Sequence, residues 1–221
     1  MKSNQLVVMA VVAVVLISLG SILFYFQQSS TGSNLGIMKP SAGYSVQPIQ
    51  VPKGAEVKQE TIDAQFFGTP QVVSHAKFLV YGITLGIINT TTTGSPDNLR
   101  IMTNFAFVVN SSMIGNVHAG QIIVVSQLGG LAQTGPQTFL NQTYDGFQLL
   151  QIHKQYVLAL DQNGGILGPD AVFIVRNGLI YSISPDWNLS GVSLNNFVQQ
   201  WDAISQQTST TVSVIRSTST R

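Results

Sequence analysis

The chain has 221 residues, and its Lys+Arg 10 against Asp+Glu 9 leave no basic field to gather nucleic acid, which is excluded as a partner on that ground. The absence of cysteine removes disulfides, thiolate catalysis, iron–sulfur clusters and cysteine-ligated metals. Charged residues make up only 9%, where about 25% is usual, and 17 Thr, 22 Ser, 13 Asn and 21 Gln supply the polarity instead.

Residues 6–26 read LVVMAVVAVVLISLGSILFYF, 21 residues without a charge. At 1.5 Å rise per residue a helix of that length spans a hydrocarbon core of about 30 Å. Lys2 and the amino terminus flank it on one side, and no charge follows until Lys39, so the positive-inside bias puts the N-terminus in the cytoplasm and the remainder outside. Phe24, Tyr25 and Phe26 fall where an aromatic belt would sit. Three fates compete for the segment: a cleaved signal peptide, a pilin-type leader and a retained signal anchor. Its length and aromatic end favour retention. The expectation is a transmembrane anchor over residues 1–28, with membrane lipid as its partner.

Residues 29–58 contain Gly36, Pro40, Gly43, Pro48 and Pro52 with little apolar periodicity, and read as a flexible tether. The extracytoplasmic β-domain is expected over residues 59–207. Thr69 as N-cap and Pro70 at the first helical position predict a short helix through Val73 and His75. Residues 77–88 form the next predicted strand, with Gly82 and Gly86 marking bends or bulges. A turn-rich loop over 89–98 leads to a strand over 100–110, the two strands pairing antiparallel, and residues 120–127 give a further strand closed by Gly129-Gly130.

Residues 131–145 read as a long, polar, irregular loop, the natural place for a binding surface. QYVLAL at 155–160 predicts a strand leading to the Asn163-Gly164 turn. Strands over 171–176 and 179–184 flank Asn177-Gly178, a type I′ hairpin signal, because both central residues of that turn need positive φ. Ser193 then caps a helix in which Leu194, Phe197, Val198, Trp201 and Ile204 recur at helical spacing. Residues 208–221 form a low-complexity Ser/Thr tail, either disordered or supplying one more strand through Val212 and Val214. The predicted class is therefore mainly β: an N-terminal transmembrane helix and a small, partly closed antiparallel β-barrel or curled sheet with a C-terminal closing helix.

FLVYG, NFAFVV, IIVVSQLGG, QYVLAL and the hairpin VFIVRNGLIYSI before a closing helix occur in an order that resembles a group of small secreted or surface β-domains of archaea and bacteria. The resemblance covers roughly residues 69–205 and implies location and fold without implying an activity. The sequence departs from that pattern at residues 149–154, where a proline and an acidic residue commonly precede the tyrosine strand. At the N-terminus, Lys2-Ser3 ahead of the apolar segment resembles the processing site of archaeal type IV pilins, whose helix packs into a filament core.

No local signature of chemistry stands out. His75, His118 and His153 are the only histidines and none shows metal-pair spacing. No GxSxG, GxxxxGK[ST] or GxGxxG occurs. Asp161 to Gly165 reads as a turn, not a calcium loop, because the closing glutamate is missing. Asp145, Asp170 and Asp186 sit beside Gly or Pro and Asp161 stands two residues before Asn163-Gly164, as turn aspartates do, which argues against a glycosidase carboxylate pair. Four sequons begin at Asn89, Asn110, Asn141 and Asn188, all at predicted strand ends or loops where a glycan could face solvent. No catalytic residue, metal ligand or cofactor is expected. The sequence predicts a non-enzymatic, membrane-anchored surface domain making protein contacts or self-associating, with a pilin-like or strand-exchanging filament subunit as the alternative.

Overall fold

The computed structural model describes residues 35–36, 49–63, 66–95, 98–187 and 189–218, with side chains described to residue 208. The predicted transmembrane segment, most of the predicted tether and Asn188 lie outside the described residues. The described chain is mainly β: two sheets and a C-terminal helix. The larger sheet has seven strands in the order β10-β9-β8-β7-β2-β3-β4, all antiparallel.

β7 (Gln155–Leu160) lies in the middle of this sheet, between β2 (Phe78–Thr93) and β8 (Val172–Arg176). Side chains alternate across a strand, so Tyr156, Leu158 and Leu160 join one apolar cluster while Val157 and Ala159 join another on the opposite face. Burial on both faces is why QYVLAL is a continuous apolar run and not an alternating one. The first cluster gathers Phe105, Phe107, Ile123 and Val125 from β3 (Arg100–Ile114) and β4 (Ile122–Leu128). The second is covered by helix α1 (Thr69–His75), through Val72 and Val73, and by helix α2 (Leu194–Thr218), through Phe197 and Trp201. Each such side chain taken fully from water contributes about 1.5–3 kcal/mol.

β2 pairs with β3 through register shifts at Tyr81/Gly82 and Thr84/Gly86, so the glycine bends expected from the sequence are real bulges. A Cβ on Gly82 would lie 2.0 Å from the Val108 carbonyl oxygen, which leaves no room for any other residue there. The strand also continues to Thr93, so Asn89 to Thr93 belong to β2 and not to the predicted loop.

Among the described residues the sheets do not close into a barrel. The seven-stranded sheet ends at β10 (Ser190–Ser193), a strand the sequence reading missed, and at β4. The physical reason lies at Gly129 and Gly130, whose φ of 99° and 124° turn the chain out of the sheet as β4 ends. The next residues, predicted as an irregular loop over 131–145, instead form the hairpin β5 (Gly130–Gly135) and β6 (Thr138–Tyr144). β1 (Glu56–Ile62) joins β6 in parallel, giving a second sheet in the order β1-β6-β5. β1 therefore begins inside the stretch read as tether.

The free edge of β4 is partly covered. Val124 N–H donates to the Gly36 carbonyl (2.9 Å), Ser126 N–H donates to that of Gly164 (2.9 Å), and Ile166 N–H donates back to Ser126 (2.9 Å). Leu35, also placed in the tether from sequence, is 3% exposed within the first cluster.

Two end details also differ from expectation. Gly68, not Thr69, is the N-cap of α1: its N–H donates to Gln71 Oε1 (2.8 Å), while Thr69 Oγ1 donates to Asp170 Oδ2 (2.9 Å). Residues 212–215 lie in α2, which runs to Thr218, so the predicted extra strand is absent. Where the spacing signal was strong the reading holds: Asn177 and Gly178 have φ of 53° and 76° between β8 and β9 (Leu179–Ser182), and Asn196 N–H donates to the Ser193 cap (3.3 Å).

Candidate functional site: a cleft beside β7 and β8

Gln127 on β4 is fully buried, and its carboxamide behaves like a piece of backbone. Its Nε2 donates to the Gln148 carbonyl (2.8 Å) and its Oε1 accepts from Leu150 N–H (2.9 Å). One residue further on, Gln151 N–H donates to the Tyr156 hydroxyl oxygen (3.0 Å). These bonds fix residues 148–151 against the sheet as a wall. Between that wall and β7–β8 lies a cleft of about 590 Å³.

Its lining is mixed: Leu149, Ile174 and Ile183 are partly exposed apolar residues over the buried Leu150, Tyr156 and Val172; Gln148, Gln151 and Asn177 add amides, and Lys154 and Arg176 are its two charged groups. Volumes of about 300–1,000 Å³ are typical of small-molecule sites. No motif marks the cleft. The one signal available in sequence was Asn177-Gly178, which sets Arg176 at a hairpin end.

Burial pushes the Tyr156 hydroxyl above its ordinary value, and the Gln151 N–H bond opposes this. Burial also raises Tyr144, with Arg100 lowering and Glu60 raising it. A tyrosine raised in the folded state contributes stability that is complete below the unfolded value of about 10 and is lost as pH rises through the folded one. Stability should therefore fall above about pH 10. The Tyr156→Phe variant should lose less between pH 8 and pH 11 in urea unfolding; an unchanged alkaline loss would refute the assignment.

The residues singled out from sequence are dispersed. His75 stacks on Phe67 (centroids 4.9 Å apart), with Nδ1 2.8 Å from the Gln71 carbonyl oxygen. His118 lies before β4, its backbone N–H donating to Gln121 Oε1 (2.9 Å). His153, with φ of 62°, turns the chain into β7. Among the described residues no three His, Asp or Glu side chains form a group that could hold a metal ion. Asp161 Oδ1 accepts from Asn163 and Gly165 N–H (2.7 and 2.9 Å), which makes it a turn residue. Asp170 is tied to Thr69, and Asp145 and Asp186 are exposed.

The three described sequon asparagines lie inside strands, not at strand ends or loops. Asn89 on β2 is exposed and its Oδ1 accepts from Asn104 Nδ2 (2.7 Å). Asn110 is exposed at a bulge of β3, skipped between the pairs Gly82–Val109 and Tyr81–Ser111. Asn141 sits mid-sheet on β6, and its Nδ2, the atom a glycan would take, donates to Gln59 Oε1 (2.8 Å). In a glycosylating host Asn89 and Asn110 should be occupied and Asn141 bare in peptide mapping; an intact mass equal to the bare chain would overturn this.

Comparison with protein-family models, with curated proteins and with solved structures gives no match.

Proposed function

We propose that this is a single-pass membrane protein, anchored by residues 6–26 with its N-terminus cytoplasmic, whose β-domain acts outside the cell as a non-enzymatic contact module of the envelope or an accessory subunit of a membrane complex. The observation that carries this reading is the position of Leu35. Eight residues separate Phe26 from Leu35, which is buried in the domain core. At 3.3–3.6 Å per residue the connection reaches at most about 30 Å. A domain so tied stays at the membrane surface, within reach of neighbouring membrane proteins. The mostly uncharged polar composition suits such a setting. Among the described residues no helix is long and apolar enough to cross a membrane, and residues 6–26 lie outside them.

External protease on intact cells should remove the β-domain while leaving a cytoplasmic N-terminal tag membrane-bound, and purification from solubilised membranes should bring down specific partner chains. Full protection of the domain in intact cells would reject the topology. A filament subunit is the second reading, favoured by Lys2-Ser3 ahead of the apolar segment. It requires a mature chain beginning at Ser3, which N-terminal sequencing reads directly. With residues 212–215 in α2, strand exchange through them is no longer part of that reading.

A further inference from the structure

We propose that the cleft binds a small amphipathic organic anion, with its carboxylate or phosphate head between Lys154 and Arg176 and its apolar body against the partly exposed Leu149, Ile174 and Ile183. The first reason is placement. β7 pairs with β8 antiparallel, ending with Gln155 opposite Val175, and Lys154 and Arg176 are the residues next beyond that pair, at the same end of the sheet. Like charges gathered at one rim repel. Both residues share the parity of Tyr156 and Ile174 and both line the cleft, whose lining holds no carboxylate. In a chain with nearly equal numbers of acids and bases, two cations face one concavity without a counter-charge. An anion between them turns the repulsion into two charge-assisted contacts, one of which can be bidentate.

The second reason is that the cations spring from fixed points. Arg176 closes β8 and pairs with Leu179 across the Asn177-Gly178 turn. Lys154 is pinned by its carbonyl, which accepts from Thr84 N–H (3.1 Å), and by the preceding His153 N–H, which donates to the Thr84 carbonyl (2.7 Å). Gln127 and Tyr156 hold the opposite wall, so the site exists before the ligand arrives and little ordering opposes binding. The partly exposed apolar residues select against a bare inorganic anion, and the two cations select against a neutral or cationic body.

The test uses the full chain in phosphatidylcholine nanodiscs, with empty nanodiscs subtracted, and four probes of one shape: 2-naphthoate, 2-naphthyl phosphate, 2-naphthalenemethanol and 2-naphthylmethylammonium. Calorimetry should show saturable one-to-one binding of one or both anions, with the alcohol and the ammonium at least tenfold weaker. The ratio of the two anions assigns the head group. Lys154→Gln and Arg176→Gln should each weaken the anion at least tenfold. Because each relieves the ligand-free repulsion, neither should lower the unprobed melting temperature, which separates a ligand-binding role from a structural one. Binding indifferent to probe charge, no binding by either anion, or anion binding unchanged in both variants would each overturn the proposal.

Discussion

Replacing Trp201 with alanine is expected to lower stability by about 3–5 kcal/mol. Trp201 is 1% exposed, stacks on Trp187 with centroids 5.6 Å apart and lies 6.0 Å from Phe197, which meets Phe173 of β8 edge-on at 4.7 Å. This aromatic column is the main apolar contact of α2 with the sheet, supplemented by the half-buried Leu194, Val198 and Ile204. Deleting the indole leaves a cavity that flanking rings cannot collapse into without losing their own geometry. Trp201→Phe, which keeps a ring in the column, should lose less than half as much. Urea unfolding followed by far-ultraviolet dichroism decides it: a loss below about 1 kcal/mol for the alanine variant, the size of an ordinary surface change, would mean that α2 is not docked here.

A comparable loss, with a pH signature, is expected for Gln142→Glu. Gln142 is fully buried in the central strand of the smaller sheet, and its carboxamide joins that sheet to its surroundings. Nε2 donates to Glu60 Oε2 (2.9 Å) and to the Leu99 carbonyl (2.8 Å); Oε1 accepts from Ile101 N–H (2.8 Å) and the Tyr144 hydroxyl (3.2 Å). A carboxylate there keeps the two accepted bonds and sets negative charge against the Glu60 carboxylate and a carbonyl. Loss of buried donors plus an unpaired buried charge should destabilise by about 3 kcal/mol or more. Burial and Glu60 would raise the new carboxyl, so the folded state would hold its proton more tightly than the unfolded one. The penalty is then smallest below the unfolded value of about 4.3 and grows as pH rises through the folded one. Urea midpoints of both proteins at pH 4 and pH 8 should diverge at the higher pH. A constant difference would show that the two donor bonds are not what the position requires.

Much of the larger sheet was legible because its signals are local or doubly redundant. QYVLAL is apolar at nearly every position because both faces are covered, and Asn177-Gly178 announces its hairpin through two positive φ angles. Gly82 marks a bulge because backbone and ring approach where a Cβ would stand, and Gly86 falls at a further register shift. The smaller sheet was not legible. LAQTG and TFLNQTY carry amides and hydroxyls where a strand usually shows β-branched residues, and β6 takes its second partner, β1, from far away in sequence. Gln142 and Gln127 show why composition misled: both are polar residues wholly inside, acting as surrogate backbone. The Ser/Thr-rich end of α2 has weak helix propensity and follows a helix already nucleated by its docked first turns. The cleft was hidden because strand pairing, which no single segment encodes, brings the residues next to Gln155 and Val175 to one end of the sheet.

The attachment of Leu35 and Gly36 also has a mechanical side. Among the described residues, tension arriving along the N-terminal chain meets the buried Leu35 and the Gly36–Val124 hydrogen bond at the rim of the large sheet before the Glu56–Ile62 strand, which a seven-residue register holds to β6. The residues between, 37–55, add up to about 65 Å of contour length. A pull that frees Leu35 and Gly36 adds that length to the connection while β1 still holds the rest of the domain.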